Sequence, residues 1–411
     1  MSAERTAPPT VEEVTDVLST VIDPELGSDV VSLGMIPRTE ISPDGAVVVE
    51  VRLTISGCPM RAEIKKMVEQ RLLVHPGVTK VRLEWSEMDS DERSAAMSTA
   101  RAAARDRAPE TAIGQRCQVL AISSGKGGVG KSSVTVNLAA GLAEKGFTVG
   151  VLDADIWGFS VPRLLGMSDR LDAHEVDGRP HIIPNRKTIG EGVLEVVSTG
   201  FLVEESTALM WRGLMLTKAV EQFLRDVAWG DLDYLLIDMP PGTGDVQMGL
   251  ARLLPRTSLL VVTTPATAAQ RVAQRAADMA QRSFLPVLGV IENMSGFICE
   301  HGDFHAVFGQ GGGQALAEAV DVPLLGSIPI ETSVSAGGDS GEPVILSGTG
   351  AAAASMQSIV DRIVTDVAPP VAVADELDGC ATKILAAFDD AFAAEDQRNL
   401  ANTNSGGGTE S

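Results

Sequence analysis

The residues of this chain whose types and spacing could do chemistry are concentrated in Ser124–Ser133, SGKGGVGKSS. The pattern G-x-x-x-x-G-K-[ST] is met by Gly125, Gly130, Lys131 and Ser132, and it makes a specific demand on the backbone. Gly125, Gly127, Gly128 and Gly130 let successive N–H groups turn inward without a Cβ in the way, so that the stretch through Val129 and on to Ser133 can cradle an anion. Lys131 supplies a point charge for the β- and γ-phosphates, and the Ser132 hydroxyl is the expected Mg²⁺ ligand. A second lysine, Lys126, stands inside the loop. The chemistry expected is binding of a nucleoside triphosphate with Mg²⁺.

Two further segments place acids where a phosphate site needs them. Val149–Asp155 (VGVLDAD) carries Asp153 and Asp155 at its end, and Tyr234–Gly242 (YLLIDMPPG) carries Asp238. Asp238 is expected to hold Mg²⁺ through its water shell and Asp155 to orient the attacking water, while Asp153 could serve either role. A lone Asp after a strand is also an ordinary cap or turn residue. Three beside one phosphate loop carry more weight.

These groups need a scaffold that brings strand ends together. Residues 117–123 are apolar and β-prone, and Val134, Leu138 and Leu142 recur at helical spacing beyond the loop, giving strand, glycine loop and helix in order. That order sets the phosphate at a helix N-terminus, where orphan N–H groups and the macrodipole favour an anion. From there the chain alternates: strand 117–123, helix 131–146, strands 147–152 and 233–238, helix 245–254, strand 258–264, helix 267–282, strand 286–292. Such an order predicts an α/β fold with a mostly parallel sheet covered by helices on both faces and its ligands beyond the carboxyl ends of the strands. Ahead of it, strand 46–53, helix 59–73 and strand 78–85 predict a small α+β domain over 11–88. Residues 89–114 read as a partly helical linker without a clear apolar face, 115–372 as the P-loop domain, and 373–411 as an acidic helix and disordered tail.

The chain has 411 residues, a net charge of −22 and 44% hydrophobic residues. It is long enough for two cores. The negative charge argues against nucleic-acid and membrane partners, both of which need clustered Lys and Arg. With no long apolar run and no secretory leader, a cytoplasmic location is expected. The four cysteines, Cys58, Cys117, Cys299 and Cys380, show no C-x-x-C spacing and do not read as a disulfide framework.

Taken together, SGKGGVGKS, VLDADIWG and LLIDMPPGTGDVQM resemble the deviant phosphate-loop ATPases of the MinD/ParA/nitrogenase iron-protein class. PPGTGD at 240–245, TTPATAA at 263–269, IENMSGFIC at 291–299 and FGQGGG at 308–313 most resemble the Mrp (ApbC-like) iron–sulphur cluster carriers. The resemblance implies an ATP-hydrolysing homodimer in which Lys126 reaches the partner's nucleotide, with cluster scaffold proteins and recipient apoproteins as partners. It implies roles for Lys126, Lys131, Ser132, Asp153, Asp155 and Asp238, and puts Asn293 at a base-contact position, although Asn293 reads equally as a turn residue. Asp23–Gly27 (DPELG), Ser32–Gly34 and Thr54–Met60 (TISGCPM) look like the small domain of iron–sulphur assembly factors. There Cys58, ahead of Pro59, is either a reactive or metal-binding thiol at a helix N-terminus or a packed one.

One departure from the resemblance bears on the cargo. Mrp-type carriers place C-x-x-C after the NMS segment, so that two copies give four thiolates to a [4Fe–4S] cluster; this chain reads Cys299-Glu300-His301-Gly302. His301 or His305 could complete the ligand set, as imidazole does in some clusters. Two other readings follow: a nucleotide-switched scaffold without a cluster, and a MinD/ParA-like positioning ATPase, the latter opposed by an acidic tail where a basic surface is needed.

Overall fold

The computed structural model describes residues 7–371 apart from 25, 55–59, 156–157, 177–178, 202–212, 243, 267–272, 276, 278–284, 300 and 302. Cys58, Glu25, Cys380, the expected helix 375–395 and most of the expected helix 267–282 lie outside the described residues.

The N-terminal part runs α1 (Val11–Leu18), β1 (Arg38–Ile41), β2 (Ala46–Leu53), α2 (Arg61–Val74), β3 (Lys80–Glu87) and α3 (Ser90–Arg107). Thr10 and Glu13 cap α1 reciprocally, the Thr10 N–H donating to Glu13 Oε2 at 2.7 Å and the Glu13 N–H to Thr10 Oγ1 at 3.2 Å, a pair that satisfies two orphan donors. In β2 the alternation of AVVVEVRL buries Val47, Val49, Val51 and Leu53, so the three-stranded sheet shows one face to its helices and the other to solvent. Each of those buried side chains contributes roughly 1.5–3 kcal/mol. α3 falls in the stretch read from sequence as a linker. It starts at an Asp89–Glu92 capping box, and Ala96 and Ala100 are buried in the same core as Val14 and Leu72. Its apolar face is made of alanines, which is why composition hides it.

Beyond it the order is β4 (Gln118–Ser124), α4 (Lys131–Glu144), β5 (Thr148–Asp153), α5 (Val161–Leu164), β6 (Asp172–Val176), β7 (Arg179–Ile183), β8 (Asn185–Ile189), β9 (Gly192–Ser198), α6 (Gly213–Asp226), β10 (Tyr234–Asp238), α7 (Gly244–Leu253), β11 (Ser258–Thr263), β12 (Val287–Ile298), β13 (Phe304–His305), α8 (Gly312–Ala319), β14 (Leu324–Ile330), α9 (Thr332–Ser340) and α10 (Ala351–Arg362). Among the described residues nine strands form one sheet in the order β13-β12-β11-β4-β10-β5-β9-β8, with β14 also on β12. All pairs are parallel except β12 with β13 and β8 with β9. Central strands are buried on both sides, all five residues of β10 and six of the seven in β4, as expected where helices cover both faces. α4 and α10 pack on one face around Leu138, Leu142 and Ile359; α6 and α7 pack on the other around Phe223, Leu224 and Leu250. No helix among the described residues is long and apolar enough to cross a membrane.

Candidate functional site

The glycine loop leaves the carboxyl end of β4 and delivers the chain into α4. Gly128 and Gly130 both take φ +80°, a region that side chains rarely adopt. At Gly130 space is closed as well: a Cβ there would lie 2.2 Å from Asn293 Nδ2. α4 begins directly after Gly130 with no side-chain cap, so its leading N–H groups face the loop. A cavity of about 310 Å³ opens over it, walled by the glycines with Lys126, Lys131, Ser132 and Ser133, and on the far side by Asp155 and Arg163. A larger opening of about 660 Å³ lies between α1 and α2, but it has neither a glycine cradle nor a converged set of acids and lysine.

Beneath the loop lies a buried ion set. β10 and β5 run parallel with Asp238 paired to Asp153 in register, so two carboxylates, both 0% exposed, meet at the strand ends. Asp238 Oδ1 accepts from Lys131 Nζ at 2.6 Å and from Thr135 Oγ1 at 3.0 Å, and Oδ2 accepts from Ser132 Oγ at 2.5 Å. Asp153 Oδ2 accepts from Ser198 Oγ at 3.0 Å and Oδ1 from the Asp155 N–H at 3.1 Å. Burial, and next the charge of Asp238, push the Asp153 carboxyl up to about 7, since one lysine cannot neutralise two acids in a dry site.

The other predicted residues fall around this set. Lys126 is exposed at the cavity wall, and Ser124 Oγ donates to its carbonyl at 3.1 Å. Asp155 Oδ1 accepts from the Gly158 N–H at 3.2 Å. Val129 is buried at 2% exposure, and the Asn293 amide donates to its carbonyl at 2.9 Å. Gly125 is buried against the Pro241–Gly242 turn, whose Gly242 N–H donates to Ser124 O at 3.2 Å.

From Asn293, β12 runs on to the hairpin that carries Cys299. The strand changes register between Asn293 and Phe297, and Met294 takes φ +56°. β13 returns antiparallel, pairing His305 with Phe297 and Phe304 with Ile298, and the Cys299 N–H donates to Asp303 O at 3.0 Å. The His305 ring stacks on Phe297, centroids 6.3 Å apart at 30°. The nearby His305 side chain, with help from the His301 and Asp303 backbones, brings the Cys299 thiol down to about 7. Cys117 is the opposite case, buried at the foot of β4 with its thiol pushed up to about 12 by burial; it behaves as a small apolar side chain.

The NUBPL iron-transfer P-loop NTPase family model matches residues 115–364, and that of iron–sulphur cluster assembly proteins matches 11–83. The chain belongs to the NUBPL iron-transfer P-loop NTPase family. It is 44% identical over 85% of its length to the iron–sulphur cluster carrier protein of Mycobacterium bovis, covering 91% of that protein. It is 44% identical over 84% to the one of Deinococcus radiodurans, covering 92%. A nucleotide-binding protein from Archaeoglobus fulgidus, solved in complex with ADP, is 34% identical and covers 59% of this chain and 92% of its own, with a TM-score of 0.48.

Within this NTPase several residues of the site escaped the sequence reading. Thr135 sits one helical turn after Lys131, where a hydroxyl reads as an ordinary helix residue. Ser198 reaches Asp153 because β9 pairs with β5 in register, Asp153 opposite Ser198, a fact no local pattern carries. Gln247 Nε2 donates to Ser123 Oγ at 3.2 Å in a buried contact, for which the GDVQM run gave the only cue. Arg163 lies in the four-residue helix α5, where its charge had no motif around it.

Proposed function

We propose that this chain is an ATP-hydrolysing carrier that holds an iron–sulphur cluster between two copies of itself, takes it from cluster scaffold proteins and passes it to recipient apoproteins in the cytoplasm. The observation that supports this most is the course of β12: the strand carries Asn293, bonded to the phosphate loop, and Cys299 follows directly on its last residue, Ile298. The names of the curated relatives, iron–sulphur cluster carrier proteins, support the same reading.

ATP would lie with its phosphates in the cradle Gly125–Ser133, Lys131 countering the β- and γ-oxygens and Lys126 completing the site across the pair. Among the described residues no three His, Cys, Asp or Glu side chains converge into a ready metal cage. The oxygen donors that do meet, Ser132 Oγ and the Asp238 carboxylate, suit Mg²⁺, which keeps most of its waters and takes one or two protein ligands beside phosphate; when bound it would neutralise charge on the transferring phosphoryl group. Asp153 is a further oxygen donor within the same set. Asp155, on the cavity wall, would orient the water, and Asn293, which braces the loop, would contact the base.

The experiment is cluster transfer. The chain loaded anaerobically with iron and sulphide is mixed with an apoprotein whose visible absorption reports cluster gain. Transfer that Cys299→Ser abolishes and Lys131→Ala alters supports the carrier; a chain that never retains iron overturns it.

A further inference from the structure

We infer that Arg163 is a catalytic residue of the ATPase: its guanidinium binds the γ-phosphoryl oxygens of the nucleotide held by the same chain and stabilises the charge they carry during transfer. This rests on the phosphate placement proposed above and assigns the wall that faces it.

The fold sets the position of this side chain. In Ser160-Val-Pro-Arg-Leu-Leu165, Val161, Pro162 and Leu165 are buried. Ser160, Arg163 and Leu164, spaced i, i+3 and i+4, share the other face and line the cavity over the glycine loop. α5 is tied down at both ends. The Val161 N–H donates to Asp153 Oδ2 at 3.4 Å, and Lys187 Nζ donates to the Leu165 carbonyl at 2.6 Å. Because Asp153 pairs in register with Asp238, which holds Lys131, the arginine and the phosphate loop are anchored to the same two strand ends.

Charge gives that wall its role. Among the described residues the cavity is lined by three cations, Lys126, Lys131 and Arg163, and by one acid, Asp155. Lys131 is already paired with Asp238 at 2.6 Å, whereas no carboxylate among the described residues pairs with Arg163. A triphosphate entering with Mg²⁺ is still an anion, and Arg163 offers it a planar donor fork that matches phosphate oxygens. In hydrolysis the water oxygen bonds to the γ-phosphorus while the bond to the β–γ bridging oxygen breaks. ADP leaves with that electron pair, and the water's surplus proton passes to an oxygen of the phosphate formed. Charge spreads over the equatorial oxygens during this exchange, and a guanidinium already facing them stabilises it without reorganisation.

The test is steady-state ATP turnover of the full chain under saturating Mg²⁺, with ADP binding followed by calorimetry. Arg163→Ala should lower kcat at least tenfold, toward the roughly 10³–10⁵ that such an arginine supplies. KM and the Kd for ADP should stay within about threefold, since the contact tightens only in the transition state. Arg163→Lys should recover part of the loss, as a point charge without the fork. Arg170→Ala removes the same charge from the exposed segment after α5 and should keep kcat within about twofold, the range of a remote charge. An equimolar mixture of Arg163→Ala and Lys131→Ala chains should stay as slow as its parts, because both groups serve one cavity. A smaller fall in kcat, an equal fall in Arg170→Ala, ADP binding lost together with turnover, or activity restored on mixing overturns the assignment and leaves the phosphate-loop reading standing. Full turnover in Lys131→Ala overturns both.

Discussion

The side-chain amide of Asn293 donates to the carbonyl of Val129 at 2.9 Å and fills the space beside Gly130 where a Cβ would lie 2.2 Å from its nitrogen. The phosphate loop therefore rests on β12. Asn293→Ala should lower stability by about 1 kcal/mol, the loss of one buried bond, and weaken nucleotide binding as the loop loosens. Gly130→Ala should cost more, because it adds a collision to the left-handed strain of about 1–2 kcal/mol. In the double variant the collision is relieved and the strain stays, so chemical denaturation should place it above Gly130→Ala and below Asn293→Ala.

Lys131 and Asp238 form a buried ion pair, side chains 7% and 0% exposed. Removing either partner strands the other, at about 3–5 kcal/mol. Lys131→Ala and Asp238→Ala should each shift the urea midpoint down and abolish ATP turnover under saturating Mg²⁺. Turnover within twofold of the unaltered chain in Lys131→Ala would refute the assigned phosphate site.

Asp153 links stability to pH. Its carboxyl lies at about 7 in the folded chain against an ordinary 3.8, so between those values the folded state holds a proton that the unfolded state has released. Stability from this group is fully present below pH 3.8 and is lost as pH rises toward about 7, at no more than about 1.4 kcal/mol per pH unit. Asp153→Asn removes the titration. Urea unfolding without nucleotide between pH 5 and 8 should show the unaltered chain losing stability relative to this variant up to about pH 7, and parallel curves above.

The Cys299 thiol, brought to about 7 chiefly by His305, should react with iodoacetamide at a rate half-maximal near neutral pH. His305→Ala should move that midpoint up toward the ordinary thiol value of about 8.5. Peptide mapping by mass spectrometry separates Cys299 from the buried Cys117. An unmoved midpoint would show that the histidine does not set the thiol's acidity.

The nucleotide half of the site was legible because its signals are local. Strands expected over 117–123, 147–152 and 233–238 appear as Gln118–Ser124, Thr148–Asp153 and Tyr234–Asp238, since a run buried on both faces is uniformly apolar and ends where the acids begin. The segment between Asp153 and Tyr234 gave no such signal. β8 (NRKTI) is an edge strand with alternating exposure, and its Arg186 pairs with buried Glu195 of β9 at 2.6 Å, so charge masks both strands. β12 was expected to stop at 292 and continues to Ile298, because NMSG reads as a turn while β14 and β13 hold it in the sheet. Contacts made by strand register, such as Ser198 with Asp153, have no sequence signature at all.

Met294 gives β12 a further property. A side chain held at φ +56° costs on the order of 1–3 kcal/mol, and this residue stands immediately after the one that braces the nucleotide cradle and before the arm that bears the thiol. The polypeptide thus keeps a cocked joint in β12, and any rearrangement that lets that single peptide unit relax recovers the tension right beside the glycine loop.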